Sequence, residues 1–514
     1  MAEKSGAIGG HPSNRIFTSF LLLFLLVSAA FYFTIRAKNN AMFVYALDDP
    51  YIHLALSEQI AHGHYGINPQ EYSSPSSSVL WPFLLAPFAG TTMHPYVPLI
   101  LNILFGLGSV MLLTWASLKW QPAEKWQLRA LTLALLISIA NLVSLTFLGM
   151  EHVLQVFLAI ACAVGLGSVW EGEPIPLWCL VSAAVGPLVR YENLAISAAV
   201  CLVLSFTGES RKAMVLLLCS CLPLVLFGLF LRHLGLPMLP TSMLVKGSVQ
   251  IGSSHVLASS RSVLFDTFKN SHQRERWPLV IAGAMALGGA ALERIRIRRI
   301  LLAAAALVAL LHIVIGRFGW FFRYEVYALI FVTLLLYRSG MWPMTGWRKL
   351  VTLGVFSVPY LIALSRTIPA SEDIYRQQFQ MHRFVAEFYR NDVAVNDLGL
   401  VSYRRPPGVR ILDIFGLGSV EAAKATKTAA WLDEIVSRHG VELAMIYPQW
   451  FEVPKDWVRI GSMCEVGRAP VFNPGNCVVF FSTHAQSTAG IRQDLLSFVP
   501  TLPPGVTFVF DPPR

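Results

Sequence analysis

Long apolar runs separated by short polar turns fill the first 365 residues of the chain. The first run, Ile16–Ile35, is long enough for a helix to cross ~30 Å of hydrocarbon. No small-residue cleavage site follows it, so it predicts a retained membrane helix and not a signal peptide. Together with the later runs it predicts about 11 membrane-spanning helices. The later runs lie near residues 96–118, 130–148, 151–169, 175–189, 193–206, 213–232, 277–292, 300–315, 324–337 and 350–365.

A polar, turn-rich loop at residues 36–95 separates the first two runs. Within it, Asp49-Pro50 predicts a helix start, because Asp at the N-cap accepts free backbone N–H groups and Pro at the first position loses none. The predicted helix, Pro50–Ala61, is too short to span and mildly amphipathic, so we expect it at the membrane interface. Residues 78–88 form a second short apolar piece, interrupted by prolines, which we interpret as re-entrant or interfacial.

Basic residues in the short loops indicate the orientation of the chain. When residues 78–88 are not counted as a span, one side of the membrane receives most of the Lys and Arg side chains. The positive-inside rule makes that side cytoplasmic, so we expect a cytoplasmic (inner) membrane protein with its N-terminus inside and its C-terminal region outside. The residues concerned are Lys4, Arg15, Lys119, Lys125, Arg129, Arg211, Lys212, Arg294, Arg296, Arg298, Arg299, Arg338, Arg348 and Lys349.

The overall composition excludes two classes of protein. The chain is 55% hydrophobic and 14% charged, whereas a soluble domain is usually ~25% charged. A chain with so few charges cannot cover a soluble surface, which again indicates a membrane protein. The formal net charge is +10, but the basic residues form short clusters between apolar runs. That distribution is typical of topology signals and argues against nucleic-acid binding.

The composition changes from about Pro369 onwards. Residues 376–390 predict an amphipathic helix, and short β-like runs then alternate with helical stretches, which predicts an α/β domain of ordinary size. We therefore predict a polytopic α-helical membrane protein with a cytoplasmic tail at 1–15, a transmembrane domain at 16–368 and an extracytoplasmic α/β domain at 369–514. The β-like runs are Val393–Val395, Val409–Leu412, Leu443–Tyr447 and Val478–Ser482.

Two of the seven cysteines stand apart from the apolar runs. Cys464 and Cys477 lie in the region that we expect outside, where disulfides form and persist. The twelve residues between them include Pro470, Pro474 and Gly475, which allow the chain to return. We predict a disulfide between this pair, and the alternative is two free thiols.

Acidic and basic side chains gather at the turns predicted to lie outside. Such a set suits the transfer of a group from an anionic lipid carrier, since a carboxylate accepts the acceptor's proton and Arg or Lys holds the phosphate leaving group. One inner turn, Glu171-Gly-Glu173, is also acidic, so the bias is incomplete. The outer residues are Asp48, Asp49, Glu71, Glu151, Arg190, Glu192, Thr241, Lys246, Arg323, Tyr324 and Glu325.

The motifs that hold these residues occur in a recognisable order. In this order the chain resembles GT-C type membrane glycosyltransferases that use polyprenyl-phosphate sugars, and is most similar to bacterial terminal arabinofuranosyltransferases. It departs from their pattern at Tyr191, where Pro is commoner, and at Pro240-Thr241, where an Asn often intervenes. The motifs are Asp48-Asp49-Pro-Tyr, Asn68-Pro-Gln-Glu71, Gly149-Met-Glu151, Leu188-Val-Arg190-Tyr-Glu192, Leu239-Pro-Thr241 with Lys246, Arg323-Tyr324, Val395-Asn-Asp397-Leu-Gly399 and Leu412-Asp413-Ile-Phe-Gly416.

The candidate catalytic residues are Asp48, as the general base, and the neighbouring Asp49. The alternative for Asp49 is a structural role as the helix cap. We expect Lys246, Arg323 and Arg190 to bind the donor phosphate, although Lys246 also suits a lipid-headgroup anchor. The other cleft candidates can serve as structural ion-pair partners instead, and they are Glu71, Glu151, Glu192, Thr241, Tyr324 and Glu325. Whether a divalent cation bridges the two aspartates stays open.

The expected function is transfer of a sugar from a polyprenyl-phosphate carrier to a glycan or lipid-linked acceptor on the outer face of the membrane. The resemblance implies a GT-C-like fold, inversion of configuration and help from the C-terminal domain in binding the acceptor. One alternative is a transporter or flippase for a lipid-linked or anionic solute, which would favour charges in mid-span and inverted repeats. A second alternative is a membrane scaffold whose outer domain binds a partner.

Overall fold

The computed structural model describes residues 12–246, 275–341, 343–467, 469–471 and 475–512. A bundle of apolar helices is followed by an α/β domain built on one mixed sheet, which confirms the predicted class of a polytopic helical membrane protein with a C-terminal α/β domain. The bundle helices are α1 (Pro12–Lys38), α2 (Asp49–Ala61), α3 (Trp81–Leu85), α4 (Val97–Trp120), α5 (Trp126–Ile139), α6 (Leu142–Leu148), α7 (His152–Val169), α8 (Leu177–Val189), α9 (Leu194–Phe206), α10 (Ser210–His233), α11 (Thr241–Lys246), α12 (Trp277–Leu292), α13 (Arg296–Ile315), α14 (Val326–Ser339) and α15 (Gly346–Arg376).

Within the described residues, seven helices are long enough and apolar enough to cross a membrane. Four shorter apolar helices, α8, α9, α12 and α14, accompany them, the second extended at its start by a 3₁₀ turn. The predicted number of about 11 spans stays a prediction. The seven segments are Arg15–Lys38, His94–Trp120, Trp126–Leu148, His152–Val169, Ser210–His233, Arg296–Ile315 and Gly346–Tyr389.

Two predicted segments differ in detail from the observed helices. The run at 130–148 is divided into α5 and α6 at Asn141, whose φ of 53° lies in the left-handed region. The last apolar run does not end near residue 365 but continues as α15 to Arg376, and α16 (Gln378–Arg383) follows after a break at Gln377. Residues 78–88 contain only α3 and a 3₁₀ turn, which are too short to span.

Helix α2 is buried inside the protein and does not have the exposed face of an interfacial helix. Every residue from Pro50 to Ser57 is buried, because α3 covers one side and α17 (Gly399–Ser402) of the C-terminal domain covers another. The prediction of an amphipathic interfacial helix was therefore wrong for this part of α2. Its apolar side chains face two protein neighbours that the local sequence does not reveal.

The C-terminal sheet has the order β2-β1-β3-β5-β4-β6 in the part of the chain that is described. Strands β2, β1 and β3 are parallel, and β5, β4 and β6 continue the sheet antiparallel. The sequence analysis located the first three and β5 within about two residues, as expected for element boundaries, and it missed β4 and β6. The strands are β1 (Val393–Val395), β2 (Ile411–Asp413), β3 (Leu443–Ile446), β4 (Val458–Glu465), β5 (Cys477–Ser482) and β6 (Val506–Phe510).

Each face of the sheet packs on a different layer, because neighbouring residues of a strand point to opposite faces. Val393 and Val395 belong to a large apolar cluster that also contains Tyr51 and Leu54 of α2, so this face continues into the bundle. Ala394 points the other way, towards the apolar face of α19. The helices of the domain are α17, α18 (Val420–Lys424), α19 (Ala429–Arg438) and α20 (Thr488–Phe498).

Cys464 and Cys477 form a disulfide between β4 and β5, where they are directly paired in the sheet register. The five remaining cysteines are free. The disulfide joins the last part of β4 to the first residue of β5, the two longest strands that the structure describes in this domain.

Ion pairs at one end of the bundle bring together residues that the sequence analysis assigned to one side. Lys119 binds Glu171 at 2.9 Å and Glu173 at 3.2 Å, and Arg338 binds Glu171 at 2.8 Å. Lys349 pairs with Glu124 in the same set of loops. The acidic turn at 171–173 therefore pairs with basic residues that the sequence analysis assigned to the same side.

The loop after α2 holds the C-terminal domain against the opposite part of the bundle. The side chain of Asn68 donates to the carbonyl of Ile411 at 2.9 Å and accepts its N–H at 3.1 Å, as a neighbouring strand would. Glu71 forms an ion pair with Arg410 at 2.6 Å beside this contact. Through these bonds the edge strand β2 is fixed over residues 68–71, with a cavity between the two parts of the molecule.

Candidate functional site

A cavity of about 210 Å³ lies between the bundle and the C-terminal domain. We call it the polar cavity. The start of α2, the loop after α13, the start of α16 and the ends of β1 and β2 all contribute to its wall. Its polar lining among the described residues consists of Asp48, Asp49, Arg317, Arg323, Tyr324, Gln378, Asn396 and Asp397.

Asp48 connects the two parts of the molecule at this cavity. Its Oδ2 accepts the backbone N–H of Gly399 at 2.7 Å, and its Oδ1 accepts the N–H of Leu400 at 2.8 Å. The carboxylate therefore binds the first turn of α17, where free N–H groups favour a negative charge. Two bonds leave further lone pairs on its oxygens, so the group can still accept a proton from a molecule in the cavity.

The electrostatic surroundings make Asp48 a stronger base than an ordinary aspartate. Burial and then the negative charge of Asp397 raise the pKa of Asp48 to about 7, against the opposing effect of the N–H groups of Leu400 and Gly399. Burial also raises the pKa of Asp397, whose carboxylate accepts a hydrogen bond from Gln378 at 2.8 Å. A carboxylate with a pKa near neutrality is well matched to general base catalysis.

Asp49 is not the N-cap of α2. The helix begins at Asp49, and the cap position belongs to Asp48, whose side chain makes no capping hydrogen bond. Asp49 Oδ2 instead lies 2.5 Å from Nη2 of Arg323, across 274 positions of the sequence. The capping explanation from the sequence was wrong, and the long-range ion pair replaces it.

Arg323 has donors that no described residue satisfies. Its side chain is 3% exposed, and Nη2 donates to Asp49 and to the hydroxyl of Tyr324 at 3.0 Å. Its Nε and Nη1 are buried without a hydrogen-bond partner among the described residues. Unsatisfied buried guanidinium donors are costly, and they are the groups that bind phosphate or carboxylate well.

The loop after α13 that carries Arg323 has a strained backbone. Gly319, Trp320, Phe321 and Phe322 all have positive φ, at 90°, 47°, 65° and 54°. Such a run of left-handed non-glycine residues costs energy and persists only where the surroundings impose it. Glu325 contributes to this, because its buried carboxylate accepts the N–H of Gly319 at 3.2 Å.

A second cavity, of about 630 Å³, begins on the other side of the same loop. We call it the apolar cavity. It shares Arg317, Arg323 and Tyr324 with the polar cavity, so these three side chains stand between the two spaces. The aromatic ring of Tyr324 lies under both guanidinium groups, 5.7 Å from that of Arg317 and 5.0 Å from that of Arg323. The apolar part of the lining includes Leu194, Ala198, Leu239, Met243, Leu311 and Ile315.

Arg190 has its charge balanced inside the bundle. Its guanidinium binds Glu192 through two hydrogen bonds, at 2.7 and 3.2 Å, and Glu151 at 2.9 Å. Glu151 in turn lies 3.5 Å from His53. Glu151 and Glu192 therefore lie in a buried ion-pair network at the edge of the apolar cavity, the structural alternative considered from the sequence.

The remaining predicted residues lie around the two cavities. Thr241 bonds through Oγ1 to Ser74 Oγ at 2.9 Å and holds α11 against the loop after α2. Glu71 faces Arg410 at the domain contact and does not line either cavity among the described residues. Lys246 ends α11, directly after Val245 of the polar cavity, but its side chain lies outside the described residues.

The two aspartates do not present a set of metal ligands. The described residues contain no group of three or more His, Cys, Asp and Glu side chains arranged to hold a metal ion.

Several cavity residues were not among the candidates from the sequence. Arg317, Gln378, Asn396, Asp397 and Trp450 line the polar cavity. Asp397 follows a predicted strand within a quoted motif, which was a usable signal. Gln378 and Trp450 carry no comparable signal, because their neighbours in the cavity come from distant parts of the chain.

Part of the C-terminal region matches a known protein-family model. Residues 371–481 match a family model described as "Domain of unknown function (DUF8728)". The match covers a minority of the chain, in the C-terminal region. A search of curated proteins finds no significant match.

Solved structures similar to this chain include two membrane proteins. The oligosaccharyltransferase of Archaeoglobus fulgidus in the apo form has a TM-score of 0.48 at 10% identity, over 90% of this chain and 76% of that one. Its complex with an inhibitory peptide and a dolichol-phosphate gives 0.44 at 11%, over 90% and 75%. ArnT from Cupriavidus metallidurans gives 0.45 at 14%, over 91% and 98%. TM-scores below 0.5 leave a shared fold unestablished, and the site described above stands on its own geometry.

Proposed function

We propose that the protein is an inverting glycosyltransferase that moves a sugar from a polyprenyl-phosphate carrier to a hydroxyl of a glycan or lipid-linked acceptor. The observation that carries this proposal is the position of Arg317, Arg323 and Tyr324 between a polar and an apolar cavity. A lipid phosphate has an anionic head and an apolar chain, and this boundary offers a place for each.

The phosphate of the donor binds to Arg323 and Arg317 in this proposal. The Nε and Nη1 donors of Arg323 are buried without a partner among the described residues, and a phosphate oxygen would satisfy them. Asp49 orients the same guanidinium through Nη2. Lys246, the last residue of α11, stays a candidate phosphate ligand on the sequence argument alone. Arg190 is assigned to the cavity wall, since Glu151 and Glu192 already compensate its charge.

The polyprenyl chain lies in the apolar cavity. Leu239, Met243 and Leu311 are among its apolar lining residues, so a polyprenyl chain meets surroundings there that are as apolar as the bilayer. The sugar then extends past Tyr324 into the polar cavity. This arrangement brings its anomeric carbon between the arginines and Asp48.

The reaction follows from these positions. The acceptor hydroxyl loses its proton to Asp48 as its oxygen forms a bond to the anomeric carbon. The bond from that carbon to the phosphate oxygen breaks, and its electron pair leaves with polyprenyl phosphate, whose charge the arginines stabilise. Attack opposite to the leaving group inverts the configuration, as the family resemblance implies.

We further propose that the polar cavity lies on the outer face of the membrane. The inner basic residues Lys119, Arg338 and Lys349 meet acidic partners in another set of loops, in agreement with the positive-inside assignment. No observation in the described part of the chain favours transport of a lipid-linked solute.

A transfer assay tests the proposal. The purified full-length chain is incubated with a panel of polyprenyl-phosphate sugars, and release of polyprenyl phosphate is measured with and without saccharide acceptors. We expect turnover of at least one donor, and Asp48→Asn should lower it by at least ~100-fold, the lower range for loss of a general base. Asp456→Asn, which changes an exposed acid of the C-terminal domain that lines neither cavity, is the control. Failure of every donor, or normal turnover of Asp48→Asn, would overturn the proposal or the assigned base, respectively.

A further inference from the structure

The ends of three parallel strands form one wall of the polar cavity. Asn396 and Asp397 follow β1, Phe415 follows β2, and Trp450 lies in the turn after β3. The register aligns these strands side by side, with Val393 opposite both Ile411 and Leu443. Ligands of α/β domains bind outside the carboxyl ends of parallel strands, which is this wall.

Aromatic side chains at this wall are exposed instead of packed in a core. Trp450 is 38% exposed and Trp320, on the bundle side, is 49% exposed. The ring of Trp450 contacts Phe415 at a centroid distance of 5.4 Å and Tyr447 at 5.2 Å, so its orientation is fixed from two directions. A fixed and accessible indole offers a flat apolar surface with a polar N–H, which suits the apolar face of a ligand.

Polar groups lie next to these rings at the depth of the cavity. The amide of Gln378 donates to Asp397 at 2.8 Å and to the hydroxyl of Tyr447 at 3.2 Å. The side-chain oxygen Oδ1 of Asn396 accepts the backbone N–H of Tyr447 at 2.9 Å. Donors and acceptors in fixed positions beside a flat apolar surface suit a ligand with an apolar face and a rim of hydroxyl groups.

We propose that this wall is the acceptor subsite and that it takes a sugar ring, stacked on Trp450 with its hydroxyls towards Gln378, Asn396 and Asp397. The inference rests on the proposed function for its catalytic meaning. The C–H face of a sugar is apolar while its hydroxyls need hydrogen-bond partners, so both halves of the wall are used.

The size of the polar cavity limits how much of the acceptor enters it. Its volume of about 210 Å³ corresponds to about seven water molecules at ~30 Å³ each. That space is about the size of one sugar ring, which the sugar of the donor takes in the proposed reaction, so the acceptor ring lies at the open side of the cavity against Trp450. The rest of the acceptor therefore extends past the exposed edges of Trp450 and Trp320, and Trp450 selects for a ring at the end of the chain.

The test measures sugar binding separately from transfer. The full-length chain in detergent is titrated with methyl pyranosides and methyl furanosides, and their dissociation constants are measured by ligand-observed NMR. We expect binding of at least one glycoside, weakened by about tenfold or more in Trp450→Ala and largely retained in Trp450→Phe, which keeps a ring face. Trp126→Ala, at a 67% exposed tryptophan at the start of α5, is the matched control and should bind like the wild type.

Transfer kinetics then separate this inference from the proposed function. In Trp450→Ala the KM for the saccharide acceptor should rise by about tenfold, whereas in Trp126→Ala it should stay at the wild-type value. Unchanged acceptor KM in Trp450→Ala, or no binding of any glycoside by the wild type, would overturn the sugar subsite. Glycoside binding that depends on Trp450, without turnover of any polyprenyl-phosphate sugar, would overturn the transferase and support the subsite.

Discussion

Asp48 Oδ2 accepts the backbone N–H of Gly399 at 2.7 Å, and this bond joins the first loop of the chain to the C-terminal domain. The same carboxylate lines the polar cavity. One side chain therefore holds the domain in place and faces the space where we propose the reaction occurs. Changes on either side of this bond should alter both the position of the domain and the chemistry.

The pH dependence of turnover should report on Asp48. Its pKa is raised to about 7, and only its deprotonated form accepts a proton, so the rate should rise with pH through an apparent pKa near 7 and fall below it. Asp397→Asn removes a negative charge that raises this pKa and should move the profile to lower pH. The pH profile of kcat/KM checks this, with Asp456→Asn as control. An unchanged midpoint in Asp397→Asn would show that the group titrating in the pH profile is not Asp48.

Asp49→Asn should chiefly weaken donor binding. Asp49 pairs with Arg323, and a hydrogen bond between charged groups is worth about 1.5–3 kcal/mol, or roughly 10- to 150-fold in the KM for the donor. Kinetics of Asp49→Asn, Arg323→Lys and the double variant form a double-mutant cycle. Since both changes affect one pair, the double variant should cost less than the sum of the single costs. Additive costs would show that the pair does not act as a unit.

Gly399→Ala should disturb the contact with Asp48. A Cβ at Gly399 would overlap the carbonyl oxygen and the carboxylate of Asp48, so the backbone must shift at a cost of about 1–3 kcal/mol. We expect lower turnover and faster proteolysis between bundle and domain. Gly490→Ala is the matched control, because a Cβ there has no described atom within 4 Å and Ala favours the helix. Equal activity in both variants would argue against this contact.

The disulfide between Cys464 and Cys477 should stabilise the C-terminal domain. The two residues are 13 positions apart, and closing a loop of this size contributes about 3 kcal/mol on the chain-entropy model. Replacing both with Ser should lower the midpoint of thermal unfolding, while Cys219→Ser, at an exposed free cysteine of α10, should not. Non-reducing mass spectrometry checks the bond itself. Two separately alkylated thiols in the mature protein would contradict it.

The orientation in the membrane is testable with single cysteines in a chain whose free cysteines are replaced by Ser. Arg296 and Lys424 are both exposed, the first at the start of α13 and the second at the end of α18. An impermeant maleimide should label Lys424→Cys in intact cells and Arg296→Cys only after permeabilisation. Labelling of both positions from one side of the membrane would contradict the predicted topology.

Sequence periodicity predicted the helical bundle and four of the six strands because local apolar patterns determine those elements. It failed for α2, since the neighbours that bury Pro50 to Ser57 are α3 and α17. The assignment of Asp49 failed for a related reason. A local signal favoured a cap, whereas the partner, Arg323, lies 274 positions away.

The candidate site was predicted only in part, for the same reason. The order of the motifs made Asp48, Arg323 and Tyr324 candidates, and all three line the polar cavity. Gln378 and Trp450 were missed because their importance depends on the docking of a domain onto a bundle. Glu151 and Glu192 were suitable residue types, but only packing revealed that Arg190 binds both.

The bond between Asp48 and Gly399 spans 351 positions, so it also orders events during synthesis. At about 5–20 residues per second, roughly 20–70 s separate the appearance of the two partners at the ribosome. Throughout that interval the nascent chain has its aspartates but not the amides that hold Asp48. A chain that stops before Gly399 therefore lacks an assembled site. Activity requires that synthesis has continued into the α/β domain.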